Sequence, residues 1–370
     1  MPVLITDFTW VSVLPIIRDI AKKETRLFGC DSVKNRTSIR SRYLKDVDFY
    51  DLSKSESMLE ELNRLIDEKK IDVILPVGQN FTLFMANNQR SLKEVSLPIP
   101  KLGSIERAHD KYLTITDAKK VGIEIPKSVP CDDPNTLYES ADEIGYPIIV
   151  KPRKTEGTAR GVKILNNKEE IQAYTKRSDG EQLLVQEYIP GDSSCMEMGN
   201  FLYDLSGCPI VRSSARKIRE YPISGGITTC GVTTYNKELI EQCERLLTRW
   251  KWVGLAEVEF KRDPRDGKLK LIEVNPRMWQ YSRLSIQAGI TLGELWLKAA
   301  RGEKVSPVTE YKTGVVFNNW SKDLLSLLHH RKKDDTYPFM DKIVKDVMPE
   351  IVGFRVFNDP LPFLKKARIW

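Results

Sequence analysis

An acid, an amide and a guanidinium close the stretch Leu271-Ile272-Glu273-Val274-Asn275-Pro276-Arg277, which reads as a short strand. A second acid, Glu259, closes the strand-like run Gly254 to Phe260, and the turn sequence "RDPRDGK" joins the two. Such a hairpin can place Glu259, Glu273 and Asn275 around one or two hard cations, with Arg277 nearby for an anion. Carboxylate and amide oxygens suit magnesium, not zinc. The competing reading puts Glu259 on a strand surface and Asn275 in a turn before Pro276. It does not explain why two acids and an amide converge beside one apolar hairpin.

Lys151 carries a second signal. It ends the apolar strand "YPIIVK" and precedes the polar, glycine-bearing loop that contains "TEGTARG". A lysine there can reach a phosphate, and glycine backbone can close over phosphate oxygens. The loop lacks the G-x-x-x-x-G-K-[ST] pattern, and alone it also reads as a solvated basic loop. A third segment, "LLVQEYIPG", is an apolar strand leading into a turn. Backbone groups after it can read an adenine edge, and the Glu187 carboxylate can bind a ribose hydroxyl.

The elements that must position these residues follow from periodicity. "VLIT", "TRLFGCD" and "IDVILPVG" read as strands, with helices between them at Leu14 to Lys23 and at "MLEELNRLIDEKK". Strand alternating with helix implies α/β architecture with a parallel sheet. Its first turn, "TDFTW", has no G-x-G-x-x-G, so this unit reads as a wall of the site and not as a dinucleotide pocket. The basic segment Arg36 to Arg42 is a candidate holder of a carboxylate or phosphate. A helix is expected from Glu106 to Lys120, then a strand near "GIEIPKSV", a helix ended by Gly145, and strands at "YPIIVKPR", "VKIL" and "EQLLVQEYIPG". Strands near Ser194–Leu202 and Ile210–Arg219, an amphipathic helix over "NKELIEQCERLLTRWKW" and the Glu259–Glu273 hairpin complete the chemical half. The tail helix "WSKDLLSLLHHRKK" is amphipathic and basic. Packing on the domain is favoured over a membrane surface.

Bulk properties narrow the classes. The 370 residues suit two or three domains, with 41% hydrophobic and 29% charged residues. No run approaches a membrane span, and the N-terminus lacks a secretory pattern, so a cytoplasmic protein is expected. Six scattered cysteines and three histidines give few zinc ligands and read as free thiols. The net charge of +7 permits nucleic-acid contact without requiring it, and none is expected. A homodimer is the default assembly.

In their order, Lys111, Lys151, the glycine loop, "VQEYIPG", a basic strand and "IEVNPR" resemble the ATP-grasp superfamily. Within it the chain looks most like carboxylate–amine ligases related to the ATP-grasp domain of carbamoyl-phosphate synthase. The resemblance covers residues from about 105 to 300. It implies an N-terminal Rossmann-like α/β domain (1–104), an ATP-grasp small subdomain with a mobile glycine loop (105–190), a second α+β subdomain with the metal site (191–305) and a C-terminal extension (306–370). It further implies that Lys111 and Lys151 contact phosphates and that Thr155, Glu156, Gly157, Thr158 and Gly161 belong to the lid. Gln186, Glu187, Tyr188 and Ile189 would line the adenine and ribose pocket. Glu259, Glu273 and Asn275 would hold Mg2+, or Mn2+. Lys217, Arg219 and Arg277 would face the γ-phosphate and an acyl phosphate.

The implied reaction uses ATP to convert a small carboxylic or amino acid to its acyl phosphate, which an amine then attacks. Bicarbonate-using carboxylase chemistry of the carbamoyl-phosphate type and a small-molecule kinase are the alternatives. The chain departs from the family where Gln186 stands in place of the usual acid, which leaves Gln186 or Glu187 to meet the ribose. It departs again at "RMWQYSRLS", where Met278, Trp279 and Tyr281 either shape a substrate pocket or pack in the core.

Overall fold

The computed structural model describes residues 2–32, 41–51, 55–133, 136–154, 161–175, 182–223, 225–333 and 342. Four strands, β1 (Val3–Thr6), β2 (Leu27–Asp31), β3 (Leu44–Phe49) and β4 (Val73–Leu75), form a parallel sheet in the order β3-β2-β1-β4. Every residue of β1 is buried, as expected for a strand covered on both faces. Helices α1 (Leu14–Ile20), α2 (Ser55–Lys69) and α3 (Gln79–Asn88) accompany it. Strand β3 escaped the sequence reading because its residues are only half-buried or exposed, so it has no apolar run.

The helix expected from Glu106 to Lys120 is two helices, α4 (Leu102–His109) and α5 (Lys111–Lys120). Asp110 breaks them. It is extended, and its carboxylate accepts hydrogen bonds from the backbone N–H groups of Tyr112 at 2.9 Å and Leu113 at 3.3 Å. A small antiparallel sheet follows, built from β5 (Ser128–Cys131), β6 (Ile148–Pro152), β7 (Lys163–Leu165) and β8 (Leu183–Glu187) in the order β5-β8-β6-β7. Helices α6 (Leu137–Ile144) and α7 (Lys168–Thr175) cover it, and Leu137, Ala141, Ile148, Val150, Ile171 and Val185 are its core.

The large sheet is antiparallel and has the order β13-β12-β9-β10-β11-β14. Its strands are β9 (Met196–Tyr203), β10 (Pro209–Tyr221), β11 (Ile227–Thr234), β12 (Gly254–Arg262), β13 (Leu269–Asn275) and β14 (Val316–Asn318). Strand β9 starts at Met196, two residues later than expected, because Ser193–Cys195 form a single 3-10 turn capped by Asp192. Strand β14 extends this sheet beyond residue 305, into what the sequence reading set apart as an extension. The sheet buries both faces. Helix α8 (Lys237–Arg249) lays Leu239, Cys243, Leu246 and Leu247 on one. The other joins the first sheet: Val3, Ile5 and Leu75 share a core with Met198, Leu202 and Ile210. Helices α9 (Arg283–Gln287) and α10 (Leu292–Ala300) seal that joint, with Trp279, Leu284 and Trp296 in the same core. At the same joint Gly254, at φ 77°, lies against Pro98, where an added Cβ would meet the carbonyl oxygen at 2.1 Å.

The last described helix, α11 (Trp320–Lys333), packs against β10 and β11. Leu327, Asp323 and Ser326 are buried there. No helix among the described residues is long and apolar enough to cross a membrane.

Candidate active site

A cavity of about 1040 Å³ lies between the small sheet, the large sheet and the first domain. Its large-sheet wall is the β12–β13 hairpin. The antiparallel register sets Glu259 directly opposite Glu273 and Glu257 opposite Asn275. Side chains two apart on a strand share a face, so four polar groups gather on one patch. The Asn275 amide donates to Glu259 Oε1 at 3.0 Å and to Glu273 Oε1 at 3.2 Å. Arg277 pairs with Glu257 at 3.0 Å.

Burial raises both acids, but their neighbours leave them on opposite sides of the ordinary value. Desolvation raises Glu259, and the charges of Glu257 and Glu273 add to that rise. Burial also pushes Glu273 up, but the cations Lys111, Lys151 and Arg277 outweigh it and leave its carboxyl below the ordinary value. Two half-buried carboxylates beside one amide are a hard-oxygen set that suits a magnesium-like ion sharing its shell with water and phosphate. Among the described residues no group of three His, Cys, Asp or Glu side chains is arranged to hold a metal ion.

The small-sheet wall carries Lys151 on β6. Its ammonium donates to the Gln186 side-chain oxygen on β8 at 2.9 Å, and the Gln186 amide donates onward to Ser128 Oγ at 2.9 Å. Burial, then the neighbouring charge of Lys111, pulls Lys151 down to about 8. Lys111 is the first residue of α5. Its position is set by Asp110, which caps α5 and takes two bonds from Arg153, at 3.2 and 2.7 Å. Arg153 follows β6, so this pair ties the two lysine-bearing elements together. The sequence reading missed that tie, although Asp before a helix and Arg after a strand were both visible.

The turn after β8 also lines the cavity. Lys261 on β12 donates to the carbonyls of Ile189 and Gly191, both at 2.8 Å, and its ammonium lies over the Tyr188 ring. This clamps Tyr188 and Ile189 beside the β12–β13 patch. Gln186 and Glu187 both face the cavity. Gln186 holds Lys151, while Glu187 accepts from the Lys127 N–H at 3.1 Å and pairs with Arg265. Burial raises the Glu187 carboxyl, but these donors bring it below its ordinary value.

Lys217 on β10 faces the cavity and pairs with Glu220 at 2.9 Å. Burial lowers its ammonium, but Glu259, Glu220 and Glu257 reverse this and raise it. Arg219 does not join it there. A strict two-residue alternation predicts the same face, but β10 is irregular on both sides of Arg219. Its guanidinium meets Asp323 of α11 instead, with bonds of 2.9 and 2.7 Å. The expectation that Arg219 faces a transferring phosphoryl group is therefore corrected.

Other placements complete the picture. Met278 and Trp279 are core residues, and the Met278 N–H donates to Val77 O at 3.1 Å across the domain joint. Tyr281 reaches the cavity wall, and its hydroxyl donates to Asn200 at 2.9 Å. Glu257 and Glu220 were not singled out in the sequence, though the Glu257-x-Glu259 alternation marks the first of them. Gly161 lies against Pro152 at a φ of 78°, a backbone region that suits glycine. Thr155, Glu156, Gly157 and Thr158 lie outside the described residues, as do residues 36–40 of the basic segment.

Comparison with known proteins finds relatives in sequence and in fold. Residues 108–280 match the model of an ATP-grasp domain. A C-terminal section of a carbamoyl phosphate synthase large chain from Methanopyrus kandleri is 26% identical over 217 residues, 56% of this chain. The chain spans 40% of that relative's length. N5-carboxyaminoimidazole synthetase from Staphylococcus aureus, solved with ADP, superposes with a TM-score of 0.72 at 16% identity, over 90% of this chain and 86% of that one. L-amino acid ligase from Bacillus licheniformis gives 0.64 at 15% identity, over 81% and 74%. At such identities the structures share the fold alone. The match of residues 108–280 falls on the two sheets that face each other across the cavity, so it is this part of the chain that is similar to an ATP-grasp domain.

Proposed function

We propose that the protein is an ATP-dependent carboxylate–amine ligase. The observation that carries this reading is the convergence of Lys111, Lys151, Lys217 and Arg277 with Glu259, Glu273 and Asn275 on one cavity. Phosphoryl transfer demands little covalent chemistry from a protein; it needs cations around the transferring oxygens and a fixed line of attack. Magnesium, held by Glu259, Glu273 and Asn275, would supply charge neutralisation to the nucleotide phosphates.

In the first step a substrate carboxylate oxygen attacks the γ-phosphorus of ATP, the bond to the β-phosphate oxygen breaks, and ADP leaves. Lys151 and Lys111 on one wall, and Lys217 and Arg277 on the other, stabilise the negative oxygens. In the second step an amine attacks the acyl carbon, inorganic phosphate departs, and the amine nitrogen loses a proton. Ile149, Ile164 and Ile272 add apolar surface to the cavity lining. The ADP-bound synthetase and the L-amino acid ligase support this reading by their fold, as does the carbamoyl phosphate synthase section by its sequence.

The test is mass spectrometry of the protein with ATP, magnesium and paired panels of carboxylates and amines. The expected products are ADP, free phosphate and a condensed amide in equal amounts. ADP with a stable phosphorylated product and no free phosphate would replace ligase by kinase. Turnover that needs bicarbonate would replace it by carboxylase.

A further inference from the structure

The segment beyond the matched ATP-grasp domain is tied into the back of the site. Asp323, in the first turn of α11, is fully buried. Its carboxylate accepts from Arg219 Nε at 2.9 Å and Nη2 at 2.7 Å, from Thr229 Oγ1 at 2.8 Å and from Asn318 Nδ2 at 2.6 Å. One side chain thus holds β10, β11 and β14 at the same point. A few residues on, Ser326 Oγ donates to the Glu220 backbone carbonyl at 2.8 Å. Asn319, Ser321 and Lys322 at the start of α11 lie on the cavity wall.

The anchored stretch of β10 is the one that presents Lys217. Register shifts flank Arg219, so the backbone here is not fixed by a regular ladder. Within four residues, Lys217 and Glu220 face the cavity while Arg219 points to Asp323. A planar guanidinium gripped at two points fixes both the distance and the rotation of its backbone. The same grip therefore fixes where the Lys217 ammonium sits relative to Glu259, whose charge is the largest attraction acting on it.

We infer that Arg219, gripped by Asp323 of α11, is a positioning residue for Lys217, and that α11 is a working part of the site. This rests on the ligase reading only for its kinetic readout.

The test is a double-mutant cycle between Arg219→Lys and Lys217→Ala. Lysine keeps the buried charge at 219 but loses the two-point grip. Arg219→Lys alone is expected to lower kcat by about tenfold and to weaken a non-hydrolysable ATP analogue with magnesium by about fivefold, with the melting temperature nearly unchanged. In the Lys217→Ala background the same substitution is expected to lower kcat no further, because the group it positions is gone. Lengthening the acid in Arg219→Lys/Asp323→Glu is expected to recover part of the lost kcat. Equal losses from Arg219→Lys in both backgrounds would overturn the inference, as would wild-type kcat in Arg219→Lys. Should Arg219→Lys fold poorly, Asp323→Glu enters the same cycle with the same two outcomes. The cycle is also run on the affinity for a non-hydrolysable ATP analogue with magnesium. If the unaltered protein shows no ligase turnover, the functional reading falls alone, and additivity in this affinity still decides the inference.

Discussion

The two walls of the cavity handle charge in opposite ways. On the large-sheet wall two cations are matched by acids of the same wall, Lys217 by Glu220 and Arg277 by Glu257. What remains there is the facing pair Glu259 and Glu273, bridged only by a neutral amide. On the small-sheet wall the buried cation Lys151 leans on a neutral amide as well, that of Gln186. Burial moves each wall's leftover charge toward neutrality, lowering Lys151 and raising Glu259. The difference teaches what the cavity suits: a ligand bringing anionic oxygens to one wall and a cation to the other. A magnesium-bound polyphosphate has that polarity.

The comparison breaks first at Glu273. Glu273→Ala is expected to reduce turnover by about a hundredfold or more, since it removes half of the acid pair. Steady-state kinetics across magnesium concentrations checks this; full activity at ordinary magnesium would remove the large-sheet wall from the site. Lys151→Met is expected to act on the other wall. It should weaken ATP by about tenfold to a hundredfold, as loss of one buried charge-assisted contact implies, while leaving magnesium dependence in place.

Proton linkage sharpens the contrast. In the free protein Lys151 releases its proton near pH 8, and a bound polyphosphate would raise that value. Nucleotide binding just above pH 8 is therefore expected to take up a proton through Lys151. Glu259 has the opposite sign: its carboxyl is raised in the free protein, so metal binding near neutral pH should release a proton. Calorimetry in buffers of different ionisation enthalpy reads both, and equal signs would contradict the contrast. The smallest effect is expected away from both walls. Asn236 caps α8 and accepts from the Leu239 N–H at 3.2 Å. Asn236→Ala should cost about 1 kcal/mol of stability, visible as a small fall in melting temperature, with kcat unchanged.

The sequence was most legible where one strand carried its chemistry in consecutive letters. "IEVNPR" and "YPIIVK" announced Glu273, Asn275, Arg277 and Lys151 because strand ends next to turns leave few other roles for such groups. Partners that depend on register were harder. Glu257 matters only because β12 and β13 align it with Asn275, and Lys261 only because it reaches two carbonyls some seventy positions earlier in the chain. Arg219 was misread for a physical reason: the two-residue rule fails at an irregular strand, and nothing local in "ARKIRE" reveals the irregularity. The split of the expected long helix at Asp110 has the same origin in a cap whose second partner, Arg153, is distant.

The core shared by the first sheet and the large sheet has a consequence for how the molecule is made. Val3, Ile5 and Leu75 finish their packing only against Met198, Leu202 and residues up to Trp296 and Ala300. Contacts this far apart in sequence form late, because a long loop must close before they give any return. On the ribosome, the first sheet must therefore wait, with one apolar face covered only in part by α1, until the large sheet has been synthesised. This unit is translated before the large sheet and is completed only with it in folding, so the order of synthesis and the order of completion run opposite ways.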